Sequence, residues 1–131
     1  MSTICGLFSK KGSVNKYNTS GLFQKSGIYT HDTASIWQNE AVFLGCHLKK
    51  IVPESEYETL PYFDKESKLI ITADAIIDNR DELSDLLDLK DDKNTSDSKY
   101  ILEAYKKWGY NCPEYLIGDF VFVIWLSLIH I

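Results

Sequence analysis

Apolar and polar positions alternate in short blocks along this chain, and the blocks predict several strands and few helices. Ser2–Phe8 is a short apolar run at the N-terminus and predicts a strand. Lys10–Asn18 is polar, contains Gly12, and predicts a turn. Gly21–Ile28 predicts a short helix. Ser35–Trp37 and Ala41–Leu48 predict a hairpin around Gln38-Asn39-Glu40. Pro53–Tyr62, with prolines at 53 and 61, predicts a loop. Lys68–Ala73 predicts a strand that breaks at the small and polar cluster Asp74, Ala75, Asp78 and Asn79. A helix follows over Arg80–Leu87, with Asp78 or Asn79 as its cap and Asp81 and Glu82 in its first turn, where carboxylates suit the helix dipole. Lys90–Thr95 is an acidic, polar loop. Asp97–Trp108 predicts a second long helix: Ile101, Ala104, Tyr105 and Trp108 share one face, Ser96 caps the start and Gly109 follows the end. Asp119–Trp125 predicts an apolar strand entered from Gly118. Strands separate the helices without regular βαβ alternation, so the pattern predicts an α+β fold, with no repeat and no internal domain boundary.

Composition narrows the classes. The 131 residues suffice for one domain with a real core. Hydrophobic residues make up 44% and aromatics 13%, too much for a disordered chain. The net charge of −5 argues against a nucleic-acid surface, which needs clustered Lys and Arg. Thirteen lysines and a single arginine, Arg80, leave almost no capacity for bidentate carboxylate or phosphate clamps. No apolar stretch is long enough to span a membrane, and no basic segment followed by an apolar run marks a secretory signal. Cys5, Cys46 and Cys112 are an odd count without metal-type spacing. The expectation is a reduced, cytoplasmic protein with no bound metal. The last residues, Leu126–Ile131, read LSLIHI, the translation of the start of a widely used transposase sequencing adapter. The expected natural domain is therefore residues 1–125, the front of a longer protein, with 126–131 an artefact; His130 receives no functional role.

The chemistry centres on Leu69–Leu87. A strand that ends in small residues beside a helix N-terminus is a common way to build an oxyanion site. The segments MSTICGLF (1–8), LGCHLKKIVPES (44–55), LPYFD (60–64), TADAIIDNRDEL (72–83), SDSKYILEAYKKWG (96–109) and LIGDFVFVIW (116–125) occur in one order and spacing. Together they resemble the N-terminal glutamine amidotransferase domain of asparagine-synthetase-like enzymes. The closest look is to bacterial asparagine-synthase-related proteins, a group that includes lasso-peptide cyclases. The resemblance implies an N-terminal-nucleophile hydrolase fold, an αββα sandwich of two antiparallel sheets flanked by helices.

The resemblance also implies roles for individual residues. The nucleophile position, which holds Cys in active members, falls on Ser2, not Cys5. Its own α-amine acts as base once Met1 is removed, so the nucleophile must be the first residue of the mature chain. A hydroxyl is a far weaker nucleophile than a thiolate at neutral pH. The oxyanion-hole positions, Asn-Gly in the family, fall on Asp74 and Ala75. An ionised carboxylate cannot donate and repels an oxyanion. The arginine that holds the glutamine α-carboxylate has no counterpart; His47 or Lys49 stand in that segment as weaker, unforked partners. Asp97 aligns with the residue that holds the substrate's α-amine, and equally suits a helix first turn.

Three functions remain open on these grounds. The first is the front domain of an ATP-dependent amide-forming ligase with a degenerate glutaminase site. ATP and Mg would then belong to a following synthetase domain, no cofactor to this chain, and the amine would come from a peptide or amino acid rather than from glutamine. The second is a working glutamine-hydrolysing asparagine synthetase with Ser2 as nucleophile. The third is a stand-alone binding module using Tyr57, Tyr62, Phe63, Tyr110 and Tyr115.

Overall fold

The computed structural model describes residues 2–89 and 95–127. Two three-stranded antiparallel sheets form its centre. The first contains β1 (Thr3–Phe8), β2 (Thr33–Gln38) and β3 (Val42–Leu48) in the order β1-β3-β2. The second contains β4 (Tyr62–Asp64), β5 (Leu69–Ile77) and β6 (Gly118–Leu126) in the order β4-β5-β6. The sheets pack on each other through β1, β3 and β5. Helix α1 (Thr19–Ser26) covers the outer face of the first sheet, against β1 and β3. Helices α2 (Arg80–Leu86) and α3 (Asp97–Trp108) lie on the second, where α3 packs on β5. The molecule is thus α+β, consistent with an N-terminal-nucleophile-hydrolase-like αββα sandwich.

Side-chain alternation explains the layering. Val42, Leu44 and Ile70 meet between the sheets with Trp37, Phe63 and Trp125 around them. Ile71, Ala73 and Ile77 point the other way, into a cluster with Tyr100, Ile101, Leu102 and Ala104 of α3.

Most elements form where the pattern places them. The hairpin turns at Asn39, whose carboxamide oxygen accepts from the Ala41 and Val42 N–H groups at 2.9 and 2.8 Å. Helix α1 starts two residues before its expected position because Asn18 caps it, accepting from the Gly21 N–H at 2.9 Å. The 53–62 loop carries a 3-10 turn over Pro53–Tyr57. Ser96 caps α3 by accepting from the Lys99 N–H.

Two expectations are corrected. The strand expected to break at Asp74 continues to Ile77, because β6 pairs with it throughout: Asp74 faces Val121 and Ala75 faces Phe120. Paired backbone groups outweigh the turn preference of Asp74. The buried part of α3 is also wider than the expected stripe. Tyr100 and Leu102 are fully buried, whereas Tyr105 and Trp108 lie at the margin. Tyr100 is drawn in by α2, where its hydroxyl meets Ser84 Oγ at 2.7 Å.

Within the expected tail, Leu126 pairs with Leu69, and the Ser127 N–H donates to the Lys68 carbonyl. Residues 128–131, His130 included, and residues 90–94 of the acidic loop lie outside the described residues. Among the described residues, no helix is long and apolar enough to cross a membrane, and no three His, Cys, Asp or Glu side chains are placed to hold a metal ion.

Candidate active site

Ser2 stands just before β1 and is buried. Thr3 pairs with His47 in the β1–β3 ladder, so Ser2 reaches the first residues past β3. There its Oγ accepts from the Lys49 N–H at 2.9 Å and lies 3.4 Å from the Lys49 carbonyl, to which it donates. The hydroxyl therefore acts as one more rung of the sheet, with its proton directed at a backbone carbonyl.

Across the sandwich, Asp74 presents its carboxylate to the same residue. It lies two positions beyond Thr72, on the β5 face that looks at the first sheet. The Ser2 backbone N–H donates to Asp74 Oδ1 at 3.3 Å. Ser2 and the adjacent pair Asp74 and Ala75, more than seventy positions further along the chain, thus line one cleft with Lys49 and Glu58. The cleft holds about 20 Å³, room for about one water. Beside it, a hollow of about 290 Å³ is lined by Ile51, Ala75, Ile76, Asp119, Phe120 and Val121, and Asp74 borders both.

The other expected site residues lie elsewhere. His47 sits between the inward-facing Cys46 and Leu48 and turns to the opposite face, toward α1. Its Nε2–H donates to the Phe23 carbonyl at 2.7 Å, and its ring stacks on Phe23 at 4.2 Å. The ring fits because residue 27 is glycine: a Cβ there would approach its Cε1 to 2.5 Å. His47 is not brought to the cleft. Cys5 faces the same way as His47, with Ser26 Oγ donating to its sulfur at 3.5 Å.

Asp97 lies in the first turn of α3, buried and ion-paired with Arg80. Arg80 also donates to the Thr95 carbonyl and stacks over Tyr100 at 4.6 Å. Burial pushes the Asp97 carboxyl up, opposed by the Arg80 charge. The single arginine is therefore spent inside the fold, holding the carboxylate that the resemblance assigns to a substrate amine.

Glu58 was missed by the sequence reading. It follows the 3-10 turn, lines the Ser2 cleft, and accepts from the Ser98 hydroxyl and N–H at the start of α3. Burial raises its carboxyl, with the Ser98 hydrogen bonds opposing. No local signal marks Glu58, since its partner lies forty residues away. Cys46, buried in the core from β3, is pushed up to about 12, chiefly by burial, and is an inert thiol at neutral pH.

The model of one protein family, described as a glutamine amidotransferase domain, matches residues 47–128. The chain belongs to that family. The matched stretch runs from the end of β3 through β6 and includes Asp74, Ala75, Arg80 and Asp97; Ser2 precedes it. No curated protein matches the chain. In this amidotransferase domain, Ser2, Asp74 and Ala75 share one cleft, and Asp97 is already paired with Arg80.

Proposed function

We propose that this glutamine amidotransferase domain no longer hydrolyses glutamine, and that it is the N-terminal domain of an asparagine synthase-like, ATP-dependent amide-forming ligase. The observation that carries the loss is the pairing of Ser2 with Asp74 in a cleft of about 20 Å³. Hydrolysis needs a free nucleophile, a base that takes its proton, and donors for the developing oxyanion. Ser2 Oγ is engaged by both backbone groups of Lys49. A carboxylate stands where a donor is required, and losing one such donor typically costs ~10²–10³ in rate.

The ligase reading rests on the order and spacing of the segments between residues 1 and 125. A following synthetase domain would bind ATP and Mg and activate a carboxylate. The amine would come from a peptide or an amino acid, with this domain as scaffold or substrate platform. The alternative, glutamine hydrolysis with Ser2 as nucleophile, keeps the same family and a different chemistry.

Ammonia release from glutamine by the purified chain, compared with Ser2→Ala, tests the loss. Equal, background rates are expected. Release that disappears in Ser2→Ala would restore the hydrolytic reading. Sequencing the gene past the Trp125 codon tests the ligase context: a downstream Ser-Gly-Gly-x-Asp-Ser loop supports it, and an in-frame stop there refutes it.

A further inference from the structure

We propose that Asp74 is a positioning residue for the processed N-terminus: once Met1 is removed, its carboxylate holds the α-ammonium group of Ser2 and fastens β1 to β5. The inference deepens the reading above and rests on its placement of Ser2 as the first residue of the mature chain. It gives Asp74 a role of its own, beyond the absence of an oxyanion donor.

The geometry is already in place. The Ser2 nitrogen lies 3.3 Å from Asp74 Oδ1, and the hydroxyl of the same residue is fixed by Lys49 on the other side. Serine is small enough to permit initiator removal. In that step a methionine aminopeptidase adds water across the Met1–Ser2 peptide bond. Methionine leaves with the new carboxylate, and the Ser2 nitrogen takes up protons to become an ammonium. A backbone N–H···carboxylate hydrogen bond then becomes an ammonium–carboxylate ion pair.

The surroundings favour the same pairing. Lys49 and Glu58 line the cleft from the first sheet and from the turn that follows it, and Asp119 lies beside Asp74 on β6. Glu58 is engaged by Ser98. Among these groups, Asp74 is the one whose carboxylate meets the Ser2 nitrogen. Lys49 meets Ser2 through its backbone groups. An ammonium held by a carboxylate does not act as a base toward its own hydroxyl, so the same contact that anchors the strand keeps the amine protonated.

The test is the pH dependence of acetylation at the Ser2 α-amine, followed by mass spectrometry. It is read on the folded chain, on the same chain unfolded in urea, and on Asp74→Asn. The midpoint is compared rather than the absolute rate, because the site is buried. The folded wild type is expected to titrate about one unit or more above the ordinary α-amine range of ~7.7–8.0, and the unfolded chain within that range. Asp74→Asn should return the folded midpoint to the ordinary range; if that variant does not fold, the folded and unfolded wild-type comparison decides. Equal midpoints in the folded and unfolded wild type, a raised midpoint that persists in folded Asp74→Asn, or a mature chain that retains Met1 would overturn the proposal. Glutaminase activity is a separate readout: Ser2-dependent ammonia release with a raised midpoint would refute the loss of hydrolysis and leave the Asp74 pairing standing.

Discussion

Asp64 and Lys106 show what a single pair contributes here. Lys106 Nζ lies 2.7 Å from Asp64 Oδ2, and Ser67 Oγ donates to the same carboxylate at 2.5 Å. Lys106 and then Ser67 lower the Asp64 carboxyl from 3.8 to about 2. Because the folded value lies below the ordinary one, the stabilisation is complete above about pH 5 and is lost as pH falls toward about 2. Glu58 and Asp97 act with the opposite sign, since burial raises both and acid relieves them. Asp64→Asn should therefore lose less stability than wild type between about pH 6 and about pH 3, measured by urea midpoints. Parallel slopes in the two proteins would show that Asp64 is unpaired in solution. At this same scale Ser2 and Asp74 were singled out only through the family resemblance; that the two meet was not legible, because they lie on different sheets. The engagement of Asp97 by Arg80 was not legible either, because a carboxylate in a helix first turn reads the same whether free or paired.

Helix α3 shows where periodicity succeeds and where it stops. The run from Ser96 to Gly109 was legible in full: a serine cap, an apolar face, and a glycine at φ 60° that closes the last turn. Which residues carry its stability was legible only in part. Ile101 is fully buried against β5 and its neighbours, while Trp108 is only partly buried at the edge of that cluster and stacks on Tyr115 at 3.9 Å. Ile101→Ala should cost ~2–5 kcal/mol, and Trp108→Ala less, ~1–3 kcal/mol, in chemical denaturation. The reverse order would place Trp108 in the core. Strand β5 exceeds its expected length for a reason of the same kind. Its last residues pair with a strand more than forty positions away, entered at Gly118, where a Cβ would approach the Ile76 carbonyl to 2.0 Å.

For the molecule as a whole, the two sheets leave β1 and β6 with one partner strand each among the described residues. Phe8 of β1 packs against Trp125 of β6 at 4.9 Å, so the two edges lie together. On β6, Val121, Val123 and Leu126 stay 54%, 43% and 46% exposed. An apolar edge strand without charge along its middle is a template for pairing. Sedimentation at rising concentration should show self-association that Val123→Lys reduces, with unchanged circular dichroism; identical behaviour of the two chains would remove β6 as the contact. The sequence by itself determined the α+β class and most element positions, because these depend on residue type and on spacing within one element. Only the tertiary structure decided that β5 runs through Asp74, that His47 faces α1, that Arg80 occupies Asp97, and that Ser2 meets Asp74 across the sandwich. Each of those depends on groups distant in the chain, whose pairing is set when the sheets stack and bury polar groups that must then find partners.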